Sequence, residues 1–374
     1  MAGMTEQSSH PISAAAFSWP ALVIGLMSGT SMDGIDAALL RTDGEAVAEP
    51  RGFVFRPYPP DFRARMADAL KSPAERAPAL EADLTDFHAD AVRALLAETG
   101  VAASAVALAG FHGHTVLHRP AEGRTWQLGD AGRLARGIGL PVVGDLRMAD
   151  VAAGGEGAPL APVYHRALAG DGPRPCAFLN LGGVANVTWI GEGPDDLIAF
   201  DTGPANMLLD EWALRHTGKP LDEGGALAMA GQADQAALAA LLAAPYFARK
   251  PPKSLDRLDF GLDAVSHLPP ADGAATLVAF TVESVAAALD HLPSAPKAWF
   301  VGGGGRHNPH LMQSLAARLT VPVEPVEAIG RNGDALEAEA FAYLAARSVK
   351  GLPISFPGTT NAPGPLTGGV LTRP

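Results

Sequence analysis

The chain is nearly without cysteine: Cys176 is the only one in 374 residues. No intrachain disulfide can form, so a disulfide-stapled scaffold is excluded and a reducing compartment fits. Cys176 sits in the apolar run Cys-Ala-Phe-Leu-Asn-Leu and reads as a small buried hydrophobe. Positive charge is also scarce. Lys and Arg number 28 against 40 Asp and Glu, a net charge of −12, and no basic patch argues for nucleic acid as a partner. Nucleotide phosphates stay open, because glycine loops and Mg²⁺ handle them locally whatever the global charge. Residues 1–20 lack a basic start followed by a long apolar run, so a signal peptide is not expected there and a frayed tail is. No membrane-spanning stretch is expected either, and the expected location is the cytoplasm.

What is present suits a two-domain globular protein. Apolar residues make up 48 % and charged residues 18 %, enough apolar material to fill two cores over this length. Ala21–Leu40 reads as strand, tight turn, strand, and Cys176–Ile190 repeats that order. Strands are also expected at 106–110, 140–144, 197–201 and 298–301. Helices are expected at 61–70, 78–98, 206–215, 234–242, 276–292, 308–319 and 334–347. Asn308 followed by Pro309 is a strong helix start. The Gly/Ala/Pro-rich stretch 151–162 reads as a hinge or shaped loop, and 351–374 as loop. Strands alternating with helices imply α/β layers. The two glycine hairpins form an internal echo in element order, without sequence identity between the halves.

Seven segments carry candidate chemistry. Gly25-Leu-Met-Ser-Gly-Thr-Ser-Met-Asp-Gly-Ile-Asp36 offers closely spaced backbone N–H groups, two hydroxyls and a carboxylate. It is a phosphate nest or a plain hairpin turn, and no Gly-Lys-Ser/Thr makes it a Walker loop. Asp33 is placed to hold Mg²⁺ directly or through water. Asn180-Leu-Gly-Gly-Val-Ala-Asn186 is a second such hairpin. Phe200-Asp-Thr-Gly-Pro-Ala-Asn206 puts Asp201 at an expected strand end, as a general base or as the cap of the next turn. Phe300-Val-Gly-Gly-Gly-Gly-Arg306 could lay backbone against a flat adenine. His112, His114 and His118 suit substrate contact better than a metal, since no acidic or thiol partner stands at ligand spacing. Arg147 suits a substrate carboxylate or a surface ion pair. Glu337 lies on the border of an apolar helix face.

In this order and content the segments resemble the anhydro-N-acetylmuramic acid kinase family. His-Gly-His-Thr at 112–115, Gly-Asp-Leu-Arg at 144–147 and Gly-Gly-Glu-Gly-Ala-Pro-Leu at 154–160 belong to the match, as does Glu-Ala-Glu-Ala-Phe-Ala-Tyr-Leu-Ala at 337–345. The resemblance spans roughly residues 21–374. It implies an α/β fold of two actin-like, ribonuclease H-like domains flanking an ATP-binding cleft, with domain I at 21–145, domain II at 146–350 and the tail 351–374 returning to domain I. It implies ATP contacts at Gly29, Thr30, Ser31, Met32, Asp33, Gly34, Ile35 and Asp36, at Asn180, Gly182 and Gly183, and at Gly302, Gly303, Gly304 and Gly305. Asp201 takes the catalytic position, and His112, Arg147, Glu156 and Glu337 the sugar side. The implied reaction phosphorylates O6 of 1,6-anhydro-N-acetylmuramic acid and opens its anhydro bridge with water, using ATP and Mg²⁺ in a homodimer. The chain departs from the family's commoner residues at His114, Ala149 and Glu156. The competing readings are a same-fold kinase for another sugar or hydroxy acid, a non-catalytic actin-like ATP sensor, and a histidine-dependent metallohydrolase.

Overall fold

The computed structural model describes residues 17–29, 31–71, 77–193, 195–255 and 259–374. Most of the expected N-terminal tail (residues 1–16) and Thr30 lie outside the described residues. The chain divides into two compact units: 1–153 with 338–354 and 365–374, and 154–337 with 355–364.

In the first unit, strands β1 (Ala21–Ser28), β2 (Gly34–Thr42) and β3 (Ala48–Pro57) form an antiparallel meander. Strand β4 (Val106–Arg119) runs parallel to β1, and β6 (Val142–Gly144) parallel to β4. Strand β5 (Arg124–Leu128) folds back on β4, and the short C-terminal strand Val370–Thr372 pairs with β6. β1 is buried on both faces at Val23, Ile24 and Leu26, which is why it reads as an unbroken apolar run rather than an alternation. The second unit repeats the plan. Strands β7 (Cys176–Leu181), β8 (Val184–Ile190) and β9 (Leu197–Pro204) make the meander. β10 (Trp299–Gly302) then runs parallel to β7, and β11 (Val323–Pro325) parallel to β10. Strands β3-β2-β1-β4-β6 of the first sheet and β9-β8-β7-β10-β11 of the second thus follow one order, with only β2 and β8 reversed among them, the ribonuclease H-like pattern. The echo seen in two hairpins extends to the whole sheet.

The sequence reading needs several corrections. Four strands were missed: β3 has exposed Arg51, Phe55 and Arg56 at its solvent edge, while β5, β11 and the C-terminal strand Val370–Thr372, which lies in a stretch read as loop, are too short to show a period. β4 does not stop at Gly110 but runs on to Arg119, so His112, His114 and His118 are strand residues. β9 likewise continues past Asp201 to Pro204. The stretch read as a loop at 151–162 is flanked by two short helices, Met148–Ala152 and Pro162–Ala169. One helical stretch, Pro270–His291, is long and apolar enough to cross a membrane, against expectation. Its faces are spent inside the second unit, where Trp212 closes on Gly273 and donates its indole N–H to the Pro270 carbonyl at 2.7 Å.

The division also differs from the expected one. It falls at 153/154 rather than 145/146, and the helix Leu336–Val349 belongs to the first unit from Ala338 onward. The cause is close helix–sheet packing. A Cβ on Gly25 would stand 1.8 Å from the Ala338 carbonyl oxygen, and one on Gly110 would stand 2.1 Å from that of Phe341. Only glycine lets the helix backbone approach the sheet this closely. The tail is shared: 351–354 and 365–374 lie with the first unit and 355–364 with the second.

Candidate active site

In the first unit the candidate residues gather at the end of β1 and beside the middle of β4. The register of β1 on β4 slips between Leu26–Phe111 and Ser28–His114, so β4 carries an extra residue at His112-Gly113. Gly113 takes φ +72°, and a Cβ there would stand 2.4 Å from the Leu128 carbonyl oxygen. Bulges of this kind re-aim side chains. His112 turns its Nδ1 to the Gly113 carbonyl at 2.9 Å and receives the Arg147 Nε–H on Nε2 at 3.0 Å. Donor and acceptor are thereby assigned: Nδ1 carries the proton and the ring is neutral. Burial, reinforced by the Arg147 charge, pushes its pKa well below the ordinary histidine value. The ring also packs on Phe341 at 4.5 Å. His112 therefore fixes the plane of the Arg147 guanidinium, which is half-buried rather than a surface charge.

His114 sits one step further, its Nδ1 at 3.0 Å from Ser28 Oγ, which also accepts the Tyr58 hydroxyl at 2.8 Å. This chain anchors the last residue of β1 where the first glycine loop begins. In that loop Ser31 donates to Asp33 Oδ1 at 2.7 Å, and both residues are exposed. Met32 adopts φ +54°, and its N–H reaches the Gly29 carbonyl at 3.1 Å. Gly34 is glycine because of packing, since a Cβ would meet the Arg56 carbonyl oxygen at 2.3 Å. Ile35 is buried in the core, and Asp36 faces Met27 across the hairpin.

In the second unit Asp201 lies on β9, opposite Asn186. The register slips beside it, and Thr202 is the extra residue. Its carboxylate Oδ2 accepts the Leu255 N–H at 2.8 Å, its N–H reaches the Lys253 carbonyl at 3.0 Å, and its carbonyl accepts the Tyr246 hydroxyl at 2.5 Å. Burial raises the Asp201 pKa to about 6 against the opposing pull of the Leu255 N–H, and the Glu156 charge raises it further. Glu156 accepts the Ser254 hydroxyl at 3.4 Å. Sequence reading singled out Asp201 and Glu156 but missed Tyr246, Lys253 and Leu255. A lone lysine after Pro251-Pro252 carries no periodic or motif signal.

Asn180, Gly302–Gly305 and Asn206 also meet in this unit. A Cβ on Gly303 (φ +74°) would stand 2.3 Å from Asn180 Oδ1, and one on Gly305 would stand 2.6 Å from the Leu181 Cβ. Asn206 donates its side-chain amide to the Leu181 carbonyl at 2.9 Å. The remaining glycines behave differently. Gly29, Gly182, Gly183 and Gly304 avoid positive φ, and a Cβ on each would find only ordinary contacts of 3.4–3.7 Å. The fold does not require glycine at these four places. Glu337 is exposed at the first turn of its helix, whereas Glu339, which sequence reading passed over, is buried. Among the described residues no group of three His, Cys, Asp or Glu is placed to hold a metal ion.

A family profile described as anhydro-N-acetylmuramic acid kinase matches residues 21–374. The chain belongs to that family. The anhydro-N-acetylmuramic acid kinase of Rhizorhabdus wittichii is 55 % identical over 361 residues, covering 94 % of this chain and 99 % of that one. The one of Paramagnetospirillum magneticum is 55 % identical over 353 residues, covering 93 % and 98 %. Among solved structures, component A of the Acidaminococcus fermentans (R)-2-hydroxyglutaryl-CoA dehydratase aligns at TM-score 0.47 with 12 % identity, over 87 % of this chain and 99 % of that one. At that distance nothing about the site is carried across.

Proposed function

We propose that this chain is an ATP-dependent kinase acting on O6 of 1,6-anhydro-N-acetylmuramic acid, with water opening the anhydro bridge in the same event. The products are N-acetylmuramic acid 6-phosphate and ADP. The observation that carries the chemistry is Asp201: a carboxyl with its proton affinity raised to about 6 and its orientation fixed by the Leu255 N–H. Such a group is mostly ionised at pH 7 yet basic enough to accept a proton. Asp201 takes a proton from the water that attacks C1. As the C1–O water bond forms, the C1–O6 bond breaks and O6 takes the γ-phosphoryl group. ADP leaves with the electron pair of the broken P–O bond, and Asp201 returns its proton to solvent. No separate acid is needed at O6, because the phosphoryl group neutralises the developing charge.

The four glycines that the fold leaves unexplained are the places where phosphate oxygens and the adenosine would approach the backbone. Asp33, exposed and already oriented by the Ser31 hydroxyl, suits Mg²⁺ held through one carboxylate, phosphate oxygens and water; the ion would spread charge over the transferring group. Arg147, oriented by His112, would pair with the lactyl carboxylate. Glu156 and Glu337 complete the proposed sugar contacts. We place the enzyme in the cytoplasm, as its single buried cysteine fits, and working as a homodimer, as the family resemblance implies.

The test is ADP release with ATP, Mg²⁺ and the anhydro sugar, with the product weighed by mass spectrometry. A gain of one phosphate plus one water is expected. Phosphate gained without water, or no ADP with this sugar but turnover with another, would move the reading to a different sugar substrate. Asp201→Asn should lower kcat by about 10³-fold, within the usual range for a general base, and leave ATP affinity nearly intact. Unchanged turnover in that variant would reject Asp201 as the base.

A further inference from the structure

Lys253 is a lysine buried to 4 % exposure with no carboxylate within ion-pairing reach among the described residues. A cation in that position needs a reason, since desolvation without an anionic partner is costly. Its Nζ points to the carbonyl oxygens of Tyr246 at 3.3 Å and Phe247 at 3.5 Å. It also lies over two aromatic faces, 4.6 Å from the Tyr246 ring centre and 5.8 Å from that of Phe200. His291 Nε2 is 3.5 Å away, but its closer neighbour is the Phe247 carbonyl at 3.1 Å. The imidazole therefore donates there and takes nothing from Lys253. The ammonium is held by two carbonyls and two π faces instead of a counter-ion.

The residues this cation ties together are the ones that grip Asp201. Tyr246 donates its hydroxyl to the Asp201 carbonyl, the Lys253 carbonyl accepts the Asp201 N–H, and the Leu255 N–H, two residues on, donates to the carboxylate. The segment 246–255 thus clasps Asp201 at its N–H, its C=O and its side chain. Lys253 Nζ joins the two limbs of that segment, one at 246–247 and one at 253. Remove the ammonium and, among the described contacts, only the chain itself and Asp201, which both limbs hold, join the limbs.

We infer that Lys253 is a positioning residue for the reaction, stapling the segment 246–255 so that the Leu255 N–H is delivered to the Asp201 carboxylate. It acts through the backbone and touches no reacting atom. The other charged or titratable groups facing this region are Glu156, whose charge bears on Asp201 and Tyr246, and Arg249 and Asp259, whose charges bear on Tyr246. Arg249 also bears on Lys253, whose own pKa burial lowers to about 8. None of these bridges the two limbs. The inference rests on Asp201 being the base, so its test includes a measurement on the free enzyme that does not need turnover.

That measurement is the Leu255 amide proton shift followed by NMR against pH. In the wild type it should move downfield as Asp201 ionises, with a midpoint near 6, and Asp201→Asn should abolish the movement. Lys253→Met should also abolish it, lower kcat by about 10- to 100-fold and leave KM for ATP unchanged. A charge-assisted hydrogen bond is worth that much. Lys253→Arg should restore both readouts within a few-fold, because the guanidinium keeps the carbonyl and aromatic contacts. Should Lys253→Met fail to fold by circular dichroism, Lys253→Gln replaces it; that side chain keeps one N–H for a carbonyl and should fall midway. A Leu255 amide that still titrates in the uncharged variants, with kcat within two-fold of wild type, overturns the inference. If the wild-type protein makes no ADP but Leu255 behaves as described, the positioning role stands and the substrate reading alone falls.

Discussion

The two units share one strand order but place a bulge, and with it their reactive groups, on different strands. In the first unit the bulge is on the fourth strand, at His112-Gly113; in the second it is on the third, at Asp201-Thr202. The surroundings then push proton affinity in opposite directions. His88, His112 and His114 are buried as neutral bases, with His88 and His114 lowered to about 4. Asp201 is buried as an acid raised to about 6. Desolvation disfavours charge in both cases. A base so treated stays neutral at pH 7, where it orients neighbours. An acid so treated becomes a stronger base than a surface carboxylate. One fold repeated twice thus holds neutral histidines in one unit and a carboxyl of raised proton affinity in the other, which suits the separate holding and proton-moving roles proposed above.

The sharpest way to break this comparison is at the sheet of the first unit. Gly25→Ala forces a Cβ to within 1.8 Å of a helix carbonyl oxygen, and neither backbone can move without shifting the helix Leu336–Val349. Overpacking on this scale costs about 3 kcal/mol or more, read as a lowered urea midpoint. Gly182→Ala makes the contrast. Its nearest contact is an ordinary 3.4 Å, so the folded state should be nearly unchanged while KM for ATP rises. Equal loss of stability in the two variants would mean that Gly182 serves the fold and not a ligand.

Next in size is the Arg147–His112 pair. Arg147→Met should raise KM for the sugar by about 100-fold with a smaller change in kcat, the pattern of lost ground-state binding. His112→Ala should do the same more weakly, about 10-fold, because the guanidinium remains but its plane is no longer fixed. A drop in kcat with KM unchanged would instead tie the pair to the chemical step.

How far the sequence led differs between the parts of this site. The two glycine hairpins were legible as hairpins, and Asp201, His112 and Arg147 were singled out as candidates by the motifs around them. The repeat was legible only as two hairpins, because the third strand of one meander, β3, and the last strand of the other sheet, Val323–Pro325, went unread; the latter is below the length at which period shows. Lys253 and Tyr246 were not legible at all. Their role is to hold a backbone segment against Asp201 from 45 and more positions along the chain, and no local pattern encodes such a distance. The helix Leu336–Val349 was recognised as a helix but given to the other half, because Gly25 and Gly110 reveal its partner only once the sheet is built.

The smallest expected effect tests the opposite pH signs directly. His88 and His114 have folded pKa values depressed from 6.5 to about 4, so the unfolded chain binds more protons between those limits. Their contribution to stability is complete above pH 6.5 and is lost as pH falls toward 4. Asp201 runs the other way: with its pKa raised from 3.8 to about 6, its contribution is complete below 3.8 and is lost as pH rises through 6. One pH unit below 6.5, each buried histidine is expected to cost about 1.4 kcal/mol. His88→Phe removes one such group, so its unfolding free energy, relative to wild type, should rise by about that amount between pH 7 and pH 5.5. His88 is 0 % exposed, and its Nε2 has no hydrogen-bond partner, so phenylalanine leaves no donor unsatisfied at that atom. A wild-type-to-variant difference that stays constant over this range would show that His88 takes up its proton as readily folded as unfolded, and that burial does not set the sign in the first unit as it does at Asp201.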